Sequence, residues 1–288
     1  MDTLAPELIE DIFSWIGIEC PPKEFARTLV ACCLVCNRWK QIAHPLLLSE
    51  FPVHGRDYDV PSFIHALLSY PVRSLWIHLD TWSVPTDKRG QLLSNLITNL
   101  RTVVIWFRFN AIAPGDARVL SDIFSSDRLT RLGLSGSHRF PVSLFSNCTS
   151  LDELYLYKSS LQDLGESPAG QQQEEQKKIR PTLSQLHIET PYYEDIEALH
   201  WFSSPQCSFD LSGLARFHCI DLTTDTSTYD IVRTFVNLVS TSLQDLSLCP
   251  PPEFGEPIHL DDHHLFSTQF NLLPNLNSLT LSHARLHH

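Results

Sequence analysis

Glycine and basic residues are scarce in this sequence, and each shortage excludes a class of function. The 288 residues include only 10 glycines, and no Gly-rich phosphate-binding loop occurs. Gly133-Leu134-Ser135-Gly136 does not have the Gly-x-Ser-x-Gly spacing of a nucleophile elbow. Lys and Arg total 21 against 33 Asp and Glu, a net charge of -12 at pH 7, and they form no basic cluster. The sequence therefore predicts neither catalysis nor a nucleic-acid partner.

Long apolar runs and a basic N-terminus are also missing. The longest apolar run, Leu29 to Cys36, is far shorter than the roughly 20 residues that a membrane-spanning helix needs. The N-terminal residues include Asp2, Glu7, Glu10 and Asp11, where a secretory signal would carry positive charge. We therefore expect a cytoplasmic or nuclear protein without a membrane partner.

Potential metal ligands are grouped in only two places. Cys33-x-x-Cys36 lies within a predicted helix and has no second cysteine pair at zinc-finger spacing. The run from His259 to His264 contains three histidines and two aspartates, but no other run is placed to complete a site. The eight scattered cysteines are expected to be reduced, buried and hydrophobic. We predict no metal, cofactor or catalytic residue; a hydrolase whose scattered residues converge in an α/β sheet is an alternative.

The N-terminal stretch has the pattern of amphipathic helices. Pro6 suits the first turn of a helix, and apolar residues recur at steps of three and four up to Ile16. Pro21-Pro22 interrupts the chain, and Pro45 is expected to end the second helix. The second apolar pattern comprises Leu29, Cys32, Cys36, Trp39 and Ala43. Two such helices cannot bury their apolar faces alone, so they need the rest of the chain or a partner.

The order of these motifs resembles the F-box. The first half is Leu4-Ala5-Pro6-x-Leu-Ile-x-x-Ile12-Phe, and the second is Leu34-Val35-Cys-Asn-Arg-Trp39 followed by Ala-x-Pro-Leu-Leu. Ala5 separates the usual Leu-Pro pair. The resemblance implies a helical module, residues 1–50, that docks on the Skp-type adaptor of an SCF ubiquitin ligase. The implied adaptor-binding residues are Leu4, Pro6, Ile9, Ile12, Leu34, Val35 and Trp39. The alternative is an ordinary helical cap on a larger domain.

From Phe51 onward the pattern Leu-x-x-Leu-x-Leu, with conservative replacements, recurs eight times. Its first positions are Val72, Leu100, Leu129, Leu151, Leu183, Leu214, Leu243 and Leu276. The alternation predicts a short strand with one buried face in each repeat. Helices are predicted at Pro61–Ser69, Arg89–Leu96, Asp116–Ser125, Asp195–Phe202, Tyr229–Ser240 and Asp261–Leu273. Strand and helix in constant order predict a parallel sheet.

A period of about 30 residues resembles leucine-rich repeats. The predicted fold class is therefore α/β: a short F-box-like module followed, over residues 51–288, by an irregular leucine-rich-repeat-like solenoid with strands concave and helices convex. The usual Asn or Cys ladder at the ninth motif position is missing, so we expect turns held repeat by repeat. The polar stretch 165–178 is a predicted mobile loop. A doubly wound α/β sheet is the alternative fold.

The positions between the repeat leucines are predicted to face a partner. Aromatic and histidine side chains are frequent there, and such side chains anchor many interfaces. The candidate target-binding residues are Trp76, His78, Trp106, Tyr155, Tyr157, His187 and His218. The alternative is that a twisted or covered sheet buries several of them.

The two resemblances together imply a non-catalytic subunit of an SCF-type, cullin-RING E3 ubiquitin ligase. The helical module would bind the Skp-type adaptor, and the repeats would hold an unknown target protein. A repeat-based scaffold without a ligase is the competing hypothesis. A docking module should expose an apolar surface when the chain is alone, whereas a cap should not.

Overall fold

The computed structural model describes residues 8–9, 12, 22–50, 53–54, 72–78, 98–107, 114–136, 139–162, 180–189, 197–220, 226–249 and 273–281. These residues belong to two compact units, 1–77 with 81–103 and 78–80 with 104–288. The predicted domain boundary at residue 50 stays a prediction. No helix in the described part of the chain is both long and apolar enough to cross a membrane.

Helices form the N-terminal part of the first unit. Helix α1 spans Pro22–Val35 and helix α2 spans Asn37–Glu50, and Leu8, Ile9 and Ile12 are also helical. A small core, which we call the head core, holds this part together because the apolar residues recur at helical spacing. Its buried members are Ile9, Leu29, Cys32 and Ala43, against which Cys33, Trp39, Ile42, Leu46 and Leu47 pack.

Two predictions about the second apolar stretch are wrong. The sequence predicts one helix through Cys36, but Cys36 is not helical and separates α1 from α2. Pro45 does not end α2, which continues to Glu50. A proline inside a helix loses one hydrogen bond and strains the preceding turn, at about 3 kcal/mol. Packing of Leu46 and Leu47 against the head core offsets this loss.

The first unit also contains the beginning of a parallel sheet. Strand β1, Val53–His54, pairs in parallel with β2, Ser74–His78. Strand β3, Thr102–Trp106, follows β2 in the sheet. The boundary between the two units falls within β3, after Val103. Strands β2 and β3 lie where the first two repeats predict them.

The second unit continues with strands and helices in alternation. Its sheet follows the order β3-β4-β6-β8-β9-β10-β11. These strands are β4 Arg131–Ser135, β6 Glu153–Tyr157, β8 Gln185–Glu189, β9 Arg216–Ile220, β10 Asp245–Cys249 and β11 Ser278–Leu281. Neighbours from β4 to β11 pair in parallel. The prediction of a mixed α/β fold with a parallel sheet is confirmed.

Alternation along each strand sends the repeat leucines to one face. From Val72 to Leu248, all repeat positions of the first seven repeats are buried, none more than 4% exposed. The last repeat differs, because Leu279 in β11 is 40% exposed. The same alternation leaves the intervening residues of β3 and β6 half-buried on the opposite face.

The same pair of backbone hydrogen bonds joins one repeat to the next. The carbonyl after the first repeat leucine accepts two N–H groups from the start of the following repeat. Thr130 O accepts from Asp152 and Glu153 at 2.9 Å each, and Asp152 O accepts from Ser184 at 2.8 Å and Gln185 at 3.2 Å. The same pattern uses the carbonyls of Arg73, Ser184, Ala215 and Gln244. Because only backbone atoms take part, the residue type at this position is unconstrained.

The leucine face of the second unit packs against helices and an aromatic core. The helices are α3 Pro114–Phe124, a 3-10 helix Val142–Asn147, α4 Glu197–Phe202 and α5 Thr226–Leu238. Phe145 contacts Phe140, Trp201 and Phe209 with ring centroids 5.1, 5.5 and 5.4 Å away. Predicted helices at 116–125, 195–202 and 229–240 therefore correspond to α3, α4 and α5.

Two short strands were not predicted from the sequence, and several predicted elements fall on residues that the structure does not describe. Short strands β5, Phe140–Pro141, and β7, Leu161–Gln162, pair in parallel outside the main sheet. The repeat pattern predicts neither of them. The predicted helices at 61–69 and 89–96, the loop at 165–178 and the run 259–264 lie outside the described residues. So does the predicted helix at 261–273, except for its last residue, Leu273, which is buried and not helical.

Candidate functional site

The sheet face opposite the repeat leucines carries three rows of side chains in register. The parallel pairing places the same repeat position of each strand side by side. The first row is Arg131, Glu153, Gln185, Arg216, Asp245 and Ser278. The middle row is Gly133, Tyr155, His187, His218, Ser247 and Thr280. The third row is Ser135, Tyr157, Glu189, Ile220 and Cys249. One face thus presents a charged row, a row with rings and a mixed row.

Four half-buried rings form a continuous group on this face, which we call the ring ladder: Tyr155, Tyr157, His187 and His218. Tyr155 and Tyr157 stack with centroids 6.0 Å apart and planes at 14°. His187 lies 5.8 Å from Tyr155 and 5.3 Å from Tyr157. His187 and His218 stack at 5.9 Å with planes at 22°. Separations of this size are typical of interacting rings, so the ladder is ordered by its own contacts.

The rings begin at β6 because the preceding strand carries glycine in the middle row. A Cβ at Gly133 would lie 3.1 Å from Cγ2 of Val104 on β3, so Val104 occupies the space above this position. Beyond His218, the middle row continues with Ser247 and Thr280. The ring ladder therefore spans three strands, β6, β8 and β9.

Ion pairs border the ring ladder on two sides. Nε and Nη2 of Arg131 donate to Oε2 and Oε1 of Glu153 at 2.7 and 2.8 Å. The hydroxyl of Tyr155 donates to Oε2 of the same carboxylate at 2.8 Å. Beside the third row, Nζ of Lys158, which follows β6, lies 3.8 Å from Oε1 of Glu189. The Arg131 guanidinium is therefore engaged in a bidentate bond, and Glu153 holds both the cation and the tyrosine.

Burial keeps the ring ladder uncharged at neutral pH. It lowers the pKa of His187 to about 4, helped by the neighbouring His218. Burial also lowers the pKa of His218. It raises the pKa of Tyr155 to about 12, together with the hydrogen bond to Glu153, and it raises the pKa of Tyr157. All four rings are then neutral, and both phenols are hydrogen-bond donors.

The other predicted target-binding residues lie on β2 and β3. Trp76 is half-buried in β2 of the first unit, and Trp106 is half-buried at the end of β3. His78 ends β2, but its side chain lies outside the described part. The structure therefore brings together four of the seven predicted residues, those of the ring ladder. On this face, Gly133, Gln185 and Cys249 are buried, whereas the four rings are half-buried.

The predicted adaptor-binding residues divide into exposed and buried ones. Leu34 is 82% exposed, Val35 55% and Ile12 39%. Ile9 is 1% exposed and belongs to the head core, and Trp39 packs against that core. Leu4 and Pro6 lie outside the described residues. Two further exposed apolar side chains, Leu8 and Val30, belong to the same helical stretch.

The ion pairs beside the ring ladder were missed by the sequence reasoning. Arg131 and Glu153 occupy equivalent positions of consecutive repeats, directly before the second repeat leucine. Aligning the repeats by that leucine would have placed the opposite charges side by side on one face. The sequence signal was therefore present in the repeat register.

Neither a metal-binding cluster in the described residues nor a match to a known protein indicates what the sheet face or the exposed residues of α1 do. Within the described ranges, no three His, Cys, Asp or Glu side chains are arranged to hold a metal ion. The structure instead shows exposed apolar side chains on α1 in the first unit and the uncharged ring ladder on the sheet of the second unit. No protein-family profile matches this chain, and no curated protein matches it.

Proposed function

We propose that this chain is the substrate-recognition subunit of an SCF-type, cullin-RING E3 ubiquitin ligase. Its N-terminal helices bind a Skp-type adaptor, and its sheet face binds the protein to be ubiquitinated. The repeats form an irregular leucine-rich-repeat-like solenoid with strands concave and helices convex. The chain contributes binding and orientation, while the rest of the complex contributes the chemistry. It works in the cytoplasm or the nucleus.

The exposure of Leu34 and Val35 is the observation that carries the proposal. These two residues begin the second half of the F-box-like motif and lie at the end of α1. Leu34 is 82% exposed, although leucine is among the residue types most often buried. A helical cap would turn such side chains toward the domain that it covers. Their exposure supports the docking module over the cap.

The ring ladder supports the second half of the proposal. Tyrosine buries a large area at low entropic cost and is enriched at interface hot spots. The rings are half-buried and ordered by mutual stacking, so little side-chain freedom remains to be lost when a partner binds. A pre-organised aromatic surface of this kind suits protein recognition.

Co-expression with a Skp-type adaptor followed by size-exclusion chromatography tests the tether. The test variant is Leu34→Asp combined with Val35→Asp. Burying each apolar side chain in an interface is worth about 1.5 to 3 kcal/mol, and 1.4 kcal/mol is tenfold in affinity. We therefore expect the double variant to bind the adaptor at least about a hundredfold more weakly than the wild type.

The matched control is Leu238→Asp, because Leu238 is a 56% exposed apolar residue on α5 in the other unit. It introduces one negative charge, half of that in the double variant, at an exposure close to the 55% of Val35, and it should leave adaptor binding unchanged. Ile9 is unsuitable as a test position, since an acidic residue in the head core would unfold it. Thermal unfolding of every variant separates loss of binding from loss of fold. Adaptor binding unaffected by the double variant would refute the proposed tether.

The same experiment discriminates the scaffold alternative. A well-folded chain that elutes separately from the adaptor would support a repeat-based binding protein without a ligase. In that case we would still propose the sheet face as the recognition surface, because that proposal depends on the ring ladder and not on the N-terminal helices.

A further inference from the structure

Two cysteines at the end of α1 differ from the other described cysteines. Cys33 and Cys36 are half-buried and carry free thiols. The other described cysteines are buried, namely Cys32, Cys148, Cys207, Cys219 and Cys249. The sequence predicts that the cysteines are buried, so these two are exceptions. Among the described thiols, Cys33 and Cys36 are therefore the two that solutes can approach.

These two cysteines enclose the exposed pair on which the proposed tether depends. Leu34 and Val35, 82% and 55% exposed, are the two residues between Cys33 and Cys36. Cys33 packs against the head core, and Cys36 is the non-helical residue between α1 and α2. The carbonyl of Cys36 accepts the N–H of Lys40 at 3.0 Å, so the first turn of α2 holds its backbone. A bond between the two thiols would therefore join the last turn of α1 to the start of α2.

Formation of this bond requires a change in the last turn of α1. Residues three apart on a helix have Cβ atoms about 5–6 Å apart, whereas a disulfide holds its Cβ atoms about 3.8 Å apart. Since Cys36 directly follows α1, its Cβ atom must approach that of Cys33 by about 1 to 2 Å. The head core holds Cys33 and α2 holds Cys36. Leu34 and Val35 therefore take up most of the displacement.

We propose that Cys33 and Cys36 form a reversible disulfide that weakens binding of the Skp-type adaptor by displacing Leu34 and Val35. This inference rests on the proposed function, because it concerns the regulation of the same surface. The oxidant is a small-molecule disulfide, oxidised glutathione. Disulfides in the cytosol are usually transient or redox-sensing, and strained or exposed ones are the most easily reduced.

The reaction consists of two thiol–disulfide exchanges. Cys33 packs against the head core, so Cys36 attacks first; its thiolate bonds to one sulfur of oxidised glutathione and releases one glutathione thiolate. The Cys33 thiolate then attacks the Cys36 sulfur of this mixed disulfide and releases the second glutathione. The two protein thiols lose two electrons and two protons, which leave as two molecules of reduced glutathione. Burial raises the pKa of the Cys33 thiol, opposed by Lys40, so the second step is faster at alkaline pH.

Oxidation of the purified full chain tests both the bond and its effect. The chain is equilibrated with mixtures of reduced and oxidised glutathione, the remaining thiols are alkylated, and peptide mass spectrometry identifies the joined cysteines. Binding of the same samples to a Skp-type adaptor is measured by calorimetry after the glutathione has been removed. We expect a Cys33–Cys36 bond and adaptor binding at least about tenfold weaker than for the reduced chain, the difference of one lost hot-spot contact. A thiol reductant should restore the binding.

Variants connect the loss of binding to this pair of thiols. Cys36→Ser cannot form the bond, so after oxidation it should bind the adaptor as tightly as the reduced wild type does. Cys33→Ala gives the same test if Cys36→Ser does not fold. The matched control is Cys32→Ala, which removes the adjacent buried thiol and keeps both partners, so oxidation should weaken its binding as in the wild type. Thermal unfolding of each variant confirms that it is folded.

Three results would overturn the inference. These are no Cys33–Cys36 bond at any glutathione ratio, a bond that leaves adaptor binding unchanged, or equal loss of binding by oxidised Cys36→Ser. Each of them leaves adaptor binding by the reduced chain, and hence the proposed function, intact. A reduced chain that does not bind the adaptor instead refutes the proposed function and this inference with it.

Discussion

His187 should make the protein less stable as the pH falls below neutrality. The imidazole is packed between Tyr155, Tyr157 and His218, and its Nε2 atom is buried without a hydrogen-bond partner among the described residues. Burial lowers its pKa from 6.5 to about 4. As the pH falls through this range, the unfolded chain binds a proton that the folded chain does not. The free energy of unfolding therefore decreases with acidification from pH 6.5 to pH 4 and changes no further below it.

The magnitude follows from the two pKa values. A shift from 6.5 to about 4 corresponds to a loss of about 2 kcal/mol between pH 7 and pH 5. His187 is only half-buried, so solvent screening reduces the expected loss to about 1 kcal/mol. Glu153 and Glu189 beside the stack have partners in Arg131 and Lys158. Asp245 and Arg216 act in opposite directions on the pKa of the neighbouring His218.

Urea unfolding of the wild type and of His187→Phe at pH 7 and pH 5 measures this effect. Phenylalanine keeps a ring in the stack and cannot be protonated. The stability of the variant relative to the wild type should increase by about 1 kcal/mol on going from pH 7 to pH 5. Ser247→Ala, in the same row, should show no such change.

The contrary result is a stability difference that is equal at both pH values. It would mean that burial does not lower the pKa of His187 and that the imidazole is open to water. An NMR titration of the wild type gives the same answer directly. A midpoint near pH 4 is expected, and a midpoint near the unperturbed 6.5 would refute the reasoning.

Two further predictions concern other parts of the sheet. Gly136 has φ of 71°, and a Cβ there would lie 2.8 Å from the carbonyl oxygen of Phe107. Gly136→Ala should therefore lower the free energy of unfolding by about 2 kcal/mol, seen as a lower urea midpoint with unchanged slope, and a loss below about 0.5 kcal/mol would contradict the strain. Glu153→Gln should cost about 1 kcal/mol at low salt, because Arg131 is 49% exposed, and the cost should shrink as NaCl is added. A cost independent of salt would show that the ion pair is not its source.

The strands of the repeat region were predictable because one physical requirement sets them. A strand with one buried face needs an apolar residue at every second position, and the repeat leucines supply it. The residues that follow this rule, such as Leu132 and Leu134 in β4, are fully buried. The spacing between repeats leaves room for a helix, and α3 and α5 lie there.

Other features depend on contacts that no local pattern encodes. The break at Cys36 and the continuation of α2 past Pro45 are decided by how the head core packs. The paired carbonyl bonds between repeats use backbone atoms, so residues as different as Thr130 and Asp152 serve equally. The absence of an Asn or Cys ladder after the strands therefore did not predict the paired backbone hydrogen bonds that precede the strands.

The candidate site was predictable in its residues and not in its charges or its extent. Period-two alternation placed Tyr155 and His187 on the free face, because the leucines on either side of them had to be buried. The neutrality of the histidines, however, arises from their burial against one another and against the tyrosines.

The extent of the ring ladder also depends on comparison between strands. It begins where Gly133 leaves space for Val104 and ends where Ser247 follows His218. Each limit involves residues that are distant in sequence and adjacent in register. The extent of the ring ladder is therefore set by the register of the strands as much as by the residues that each strand carries.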